Sequence, residues 1–150
     1  MGRHRLAGIK LLHGLDDTQL AAVEAAGVPC RFEAGDTIFT EGEEGTDLYC
    51  VIEGRAEISV ALGGATEQAP VHMAAAGSVF GELSLCHDGP RTATVRVVKD
   101  AEILRVGREA LQALFERDPR VGYLVMGNLC RILSERMCKT TRELRASLMW

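Results

Sequence analysis

Between residues 28 and 106 glycine cuts the chain into short runs of β-forming residues, with no helical pattern between them. The runs are 28–32, 37–39, 48–52, 56–62, 71–75, 92–98 and 102–106. Gly35, Gly42, Gly45, Gly54, Gly63, Gly64 and Gly77 stand between them. A parallel sheet needs a helix in each crossover, and this stretch offers none. Strands at such short, regular spacing predict an antiparallel sandwich or barrel.

Helices flank this stretch. Asp16 before Leu20, with Gln19 three residues on, reads as a capped helix start, and Gly27 as its stop. Residues 9–13 read as a further short helical turn. After Gly107, Leu111, Leu114 and Phe115 form an apolar stripe on a helix. Asp118-Pro119 is an N-cap followed by the first helical position, and no proline interrupts the chain from there to about residue 147. That predicts a helix of about 40 Å. Val121, Val125 and Ile132 are expected on the domain. Met126, Leu129, Leu133, Met137, Thr140, Leu144 and Leu148 recur every third or fourth residue, as a self-association seam does.

The chemistry is concentrated at 77–95. Val79 and Phe80 lead into Gly81, which allows close backbone approach. Glu82 then opens a short apolar turn. Asp88-Gly89-Pro90 turns the chain back, and Arg91 precedes a strand-like run. One loop thus offers a hydrogen-bond acceptor, a cation and the free amides of a short helical turn. A ligand with hydroxyls at one end and an anion at the other, a sugar phosphate, suits that set.

Phe80-Gly81-Glu82-Leu83-Ser84-Leu85, five residues, and then Arg91-Thr92-Ala93-Thr94-Val95 resembles the phosphate-binding cassette of cyclic-nucleotide-binding domains. That family includes catabolite-activator proteins, protein kinase A regulatory subunits and cyclic-nucleotide-gated channels. Gly42, Gly45, Tyr49 and Gly54 are spaced similarly to the family as well. The resemblance implies a mainly β fold with flanking helices, an eight-stranded jelly-roll β-barrel with short N-terminal helices and a long C-terminal helix. It implies one domain over 1–150, with N-terminal helices at 1–27, a β-roll at 28–107 and C-terminal helices at 108–150. Glu82 would hold the ribose 2′-hydroxyl and Arg91 the cyclic phosphate. The amides around Gly81, Leu83 and Ala93, with the Thr92 hydroxyl, would complete the cradle. The expected ligand is cyclic AMP or cyclic GMP. Leu129, Leu133 and Met137 are expected over the base or against a second copy of the chain.

Other classes fit less well. The 150 residues carry a formal net charge of −4, which gives no electrostatic reason to expect nucleic-acid binding. The basic residues of the long helix alternate with Glu135 and Glu143, as on a solvated face. No apolar run approaches the about 20 residues of a membrane span, and residues 6–12 are too broken for a signal peptide. Five cysteines without a Cys-x-x-Cys pair read as separate thiols in a cytoplasmic protein. Cys86, inside the cassette, reads as a small apolar residue. An enzyme on a related cupin-type barrel needs a metal, and His4, His13, His72 and His87 are scattered with no His-x-His. Haem and redox sensors of the superfamily have usually lost the cassette Glu and Arg. The expectation is a non-enzymatic cyclic-nucleotide receptor that signals to a protein partner by moving its C-terminal helix. The alternative is the sensor part of a DNA-binding regulator of the catabolite-activator type.

Overall fold

The structure, a computed structural model, describes residues 2–63 and 66–149. Gly64 and Ala65 of the expected hairpin loop at 63–70 lie outside the described residues. A 3₁₀ turn at Lys10–Leu12 and helix α1, Asp17–Ala26, come first. The strands are β1 (Gly27–Phe32), β2 (Thr37–Phe39), β3 (Leu48–Ala61), β4 (Gln68–Ala75), β5 (Val79–Phe80) and β6 (Thr94–Val106). A second 3₁₀ turn, Glu82–Leu85, separates β5 from β6, and α2 (Arg108–Arg117) and α3 (Pro119–Leu148) close the chain.

All pairings are antiparallel, in the order β1-β6-β3-β4, with β2 also on β6 and β5 also on β3. The sheet has six strands, not the expected eight, and its path does not close. Of the seven expected runs two pairs are fused, and Val79–Phe80 adds a strand that none of them covered. The expected runs at 48–52 and 56–62 are one strand, β3, bent at Gly54. There φ is +90°, and an added Cβ would lie 2.3 Å from the Asp100 carbonyl oxygen. Glycine serves as a bend at a close approach of β6, not as a break. Runs 92–98 and 102–106 likewise fuse into β6, which begins only at Thr94. Thr92 and Ala93 are thereby left outside the ladder.

The helix ends follow local chemistry. Asp16 Oδ1 accepts from the Gln19 amide at 2.8 Å, and Gln19 Oε1 accepts from the Asp16 amide at 3.0 Å, a complete capping box. Asp118 Oδ1 accepts from the amides of Arg120 and Val121 at the start of α3. Gly27 ends α1 as expected, with an extended backbone (φ −111°) that passes directly into β1. It is needed where β1 meets β6, because a Cβ there would lie 2.9 Å from the Arg105 carbonyl oxygen.

Two cores result. One joins the N-terminal segment, α1, α2 and the first half of α3 to one side of the sheet, through Leu11, Leu20, Leu111, Val121 and Val125. Leu129 belongs to it, 1% exposed, and not to an outer seam. Ile132, Met126 and Leu133 pack against the same cluster. Asn128 donates to the carbonyls of Leu11 (2.9 Å) and His13 (2.8 Å), tying α3 to the first turn. The other core lies within the sheet, around Phe39, Tyr49, Val51, Phe80, Val95 and Ile103. The rest of α3 extends past both, with Met137, Leu144 and Leu148 exposed.

Candidate functional site

The second core ends in a cluster of three rings. Tyr49 and Phe80, paired across β3 and β5, stack at 5.0 Å, and Phe39 of β2 tilts against both. Arg91 lies on this cluster with its guanidinium carbon 4.2 Å from the Phe39 ring centroid. It is 8% exposed, and among the described residues no carboxylate pairs with it. Its backbone is clamped to the β2–β3 loop: the Arg91 amide donates to the Glu43 carbonyl at 2.7 Å and its carbonyl accepts from Gly42 at 2.8 Å.

Gly81 shapes the opposite wall. Its φ of +74° is left-handed, and a Cβ there would stand 2.7 Å from the Asp47 carbonyl oxygen and 3.1 Å from Arg91 Nη1. The left-handed turn releases the chain from β5 into the Glu82–Leu85 turn, which Ser84 Oγ fastens to the carbonyls of Gly81 (2.7 Å) and Thr46 (3.0 Å). Glu82 is thereby buried, 4% exposed, and accepts from Arg136 of α3. Arg136 also reaches the Val79 carbonyl at 3.4 Å. Outside the turn, Arg108 joins the cassette to α2 through the Ser84 carbonyl (3.2 Å) and Asp88 Oδ1 (2.7 Å).

All six residues singled out in the sequence, Gly81, Glu82, Leu83, Arg91, Thr92 and Ala93, line one cavity of about 330 Å³. Phe39, Gly45, Val71 and His72 contribute further wall. From α3 come Arg136, Lys139, Thr140 and Glu143, in place of the expected Leu129, Leu133 and Met137. Their spacing by three and four marks one polar stripe of the helix, a signal present in the sequence, where Arg136, Lys139 and Glu143 were expected on a solvated face and Thr140 in the self-association seam. Partial desolvation, with the Arg136 and Lys139 charges, holds the His72 imidazole below its ordinary pKa. Cys86 is exposed and does not line the cavity, its thiol pushed up first by partial desolvation, then by Cys130 and Glu82. Among the described residues no group of three or more His, Cys, Asp or Glu is placed to hold a metal.

The cavity therefore presents a buried guanidinium that pairs with no carboxylate among the described residues, a buried carboxylate and a polar stripe of α3. A sequence model of the cyclic nucleotide-binding domain matches residues 29–118. The chain belongs to that family. The CRP-like cAMP-activated global transcriptional regulator of Mycobacterium tuberculosis is 29% identical over 139 residues, 93% of this chain and 60% of the relative. Among solved structures, Thermus thermophilus catabolite activator protein superposes with a TM-score of 0.80 at 30% identity, over 91% of this chain and 62% of that one. The regulatory domain of Toxoplasma gondii PKA, solved with cAMP, gives 0.65 at 32% identity, over 73% of this chain and 41% of that one. This cyclic nucleotide-binding chain thus spans about three fifths of the curated regulators it matches. None of its described helices is long and apolar enough to cross a membrane.

Proposed function

We propose that the chain is a receptor module for a cyclic nucleotide, cAMP or cGMP, held between the cassette and α3. The observation that carries this reading is Arg91: a guanidinium buried in a cavity wall without a carboxylate partner calls for an anion. A cyclic phosphate has two exocyclic oxygens for its fork, and the amides around Gly81, Leu83 and Ala93, with the Thr92 hydroxyl, supply further donors. Glu82 takes the ribose 2′-hydroxyl. Arg136 holds Glu82 Oε1, and a carboxylate has lone pairs enough for a hydroxyl as well. The base lies toward Lys139, Thr140 and Glu143, so α3 covers the ligand and carries the signal. Exposed Met137, Leu144 and Leu148 offer a stripe for pairing with a second copy.

Isothermal titration of nucleotide-stripped protein with each cyclic nucleotide tests the proposal. Saturable binding of one or both at a single site is expected; no heat and no competition from either would overturn it. A second reading places the same receptor within a DNA-binding regulator, favoured by the three-fifths span of the regulators above. Nucleotide-dependent DNA binding by the full-length gene product would support it, and DNA binding indifferent to nucleotide would count against it.

A further inference from the structure

We infer that Gly45 and Phe39 are positioning residues for Arg91, Phe39 offering its guanidinium an aromatic face and Gly45 the space that a side chain would fill. The inference rests on the receptor reading, since it says how the anion site of that receptor is kept in shape.

An arginine has many rotamers, and ordering it on binding costs affinity. Here the ordering is built in. The guanidinium sits over Phe39, and Phe39 cannot turn away, because Tyr49 at 5.7 Å and Phe80 at 5.9 Å confine its ring. Attraction to the ring face adds to the confinement without neutralising the charge, as a carboxylate would. The cation stays available to an anion.

Gly45 bounds the guanidinium elsewhere. A Cβ on it would lie 2.9 Å from Arg91 Nε, 2.9 Å from Nη2 and 3.2 Å from the guanidinium carbon, and those are its nearest neighbours. Gly45 is not among the glycines with positive φ, so its backbone conformation makes no demand for glycine. The loop that carries Gly45 is fastened to the Arg91 backbone through Gly42 and Glu43, so loop and cation keep one register. A side chain at position 45 takes the place of the guanidinium, which is then displaced along the Phe39 face or into the cavity it lines, away from the position where it meets an anion.

The test is Gly45→Ala, an exchange that opens no cavity in either core. Its affinity for cAMP or cGMP, whichever the parent binds, is expected to fall about tenfold while thermal unfolding is unchanged. Phe39→Leu should lose a similar factor, and Phe39→Tyr, which keeps the ring face, should recover most of it. The same substitutions are then made in an Arg91→Ala background and followed by NMR titration, which reads weak affinities. There neither is expected to change affinity further, because the group they position is gone. Parent-like binding by Gly45→Ala, or an equal loss with Arg91 absent, would overturn the inference and leave the receptor reading standing. If the parent chain binds neither nucleotide, the receptor reading falls and takes the inference with it.

Discussion

The guanidinium of Arg136, on the outer half of α3, donates to the buried Oε1 of Glu82 in the cassette. Glu82 has 6% of its side chain exposed and Arg136 39%, so the pair lies at the cavity rim with its acid inside. A buried carboxylate needs a partner, and the helix supplies it. The part of the cassette assigned to the ribose is thus in direct contact with the segment assigned to signalling.

Arg91→Ala should reduce cyclic-nucleotide affinity by about 2–5 kcal/mol, the range for a buried charge pair that loses one member. Arg91→Lys should restore little, since an ammonium cannot reproduce a planar fork over Phe39. Calorimetric titration of folded mutants measures both. Unchanged affinity in Arg91→Ala would remove the phosphate assignment.

Glu82 should make the site sensitive to the ribose. A 2′-deoxy cyclic nucleotide is expected to bind worse than its parent by about 1–3 kcal/mol, because a desolvated acceptor loses its donor. In Glu82→Gln that difference should shrink. Equal discrimination in both proteins would assign the hydroxyl to another group.

The outer half of α3 should be needed for tight binding. A cut after Asp118 is unsuitable as a probe, since it removes Val121, Val125 and Leu129 from the core. A stop after Leu133 keeps those residues and deletes Arg136, Lys139, Thr140 and Glu143 from the cavity wall. Affinity should drop by about 1–3 kcal/mol, the usual size of a coupling energy. Hydrogen exchange in the intact chain should show residues 134–145 gaining protection when nucleotide is added. Exchange there that ignores a tightly bound ligand would place the output elsewhere.

Base preference should depend on Thr92 and Thr140, the two threonine hydroxyls of the wall. If Thr92 serves a guanine amino group as well as the phosphate, Thr92→Ala weakens cGMP and leaves cAMP nearly as before. Parallel affinities for both nucleotides in parent and mutant decide this, and an equal loss for both would confine Thr92 to the phosphate.

His72 should titrate below its ordinary value of 6.5, through partial desolvation and the nearby charges of Arg136, Lys139 and Lys10, which Glu82 only partly offsets. The unfolded chain then holds more protons than the folded one in the window just below 6.5. Stability is therefore present above that window and declines as pH falls through it. NMR titration of the imidazole gives the midpoint, which should rise in Arg136→Met. A midpoint at or above the ordinary value would contradict this account of its surroundings.

That 81–93 would gather at one place was legible in the sequence because the parts are contiguous: a glycine, a short turn, a proline-bounded loop and an arginine within 77–95, which line one cavity. The helix starts at Asp16 and Asp118 were legible for the same reason, since a cap is satisfied within a few residues. The strand count was not. Whether Gly54 ends a strand or bends one depends on the β6 backbone that crosses it, and that backbone comes from far along the chain. Helical periodicity showed that α3 has several faces but not which one meets the sheet. Packing decided that Leu129 goes inward and that Arg136, Lys139, Thr140 and Glu143 look into the cavity. The ring beneath Arg91 was hidden in the same way: Phe39 and Arg91 meet only because β2 pairs with β6. Local hydrogen bonding writes caps and turns into neighbouring residues, whereas partners across a sheet are selected by the burial of the whole chain at once.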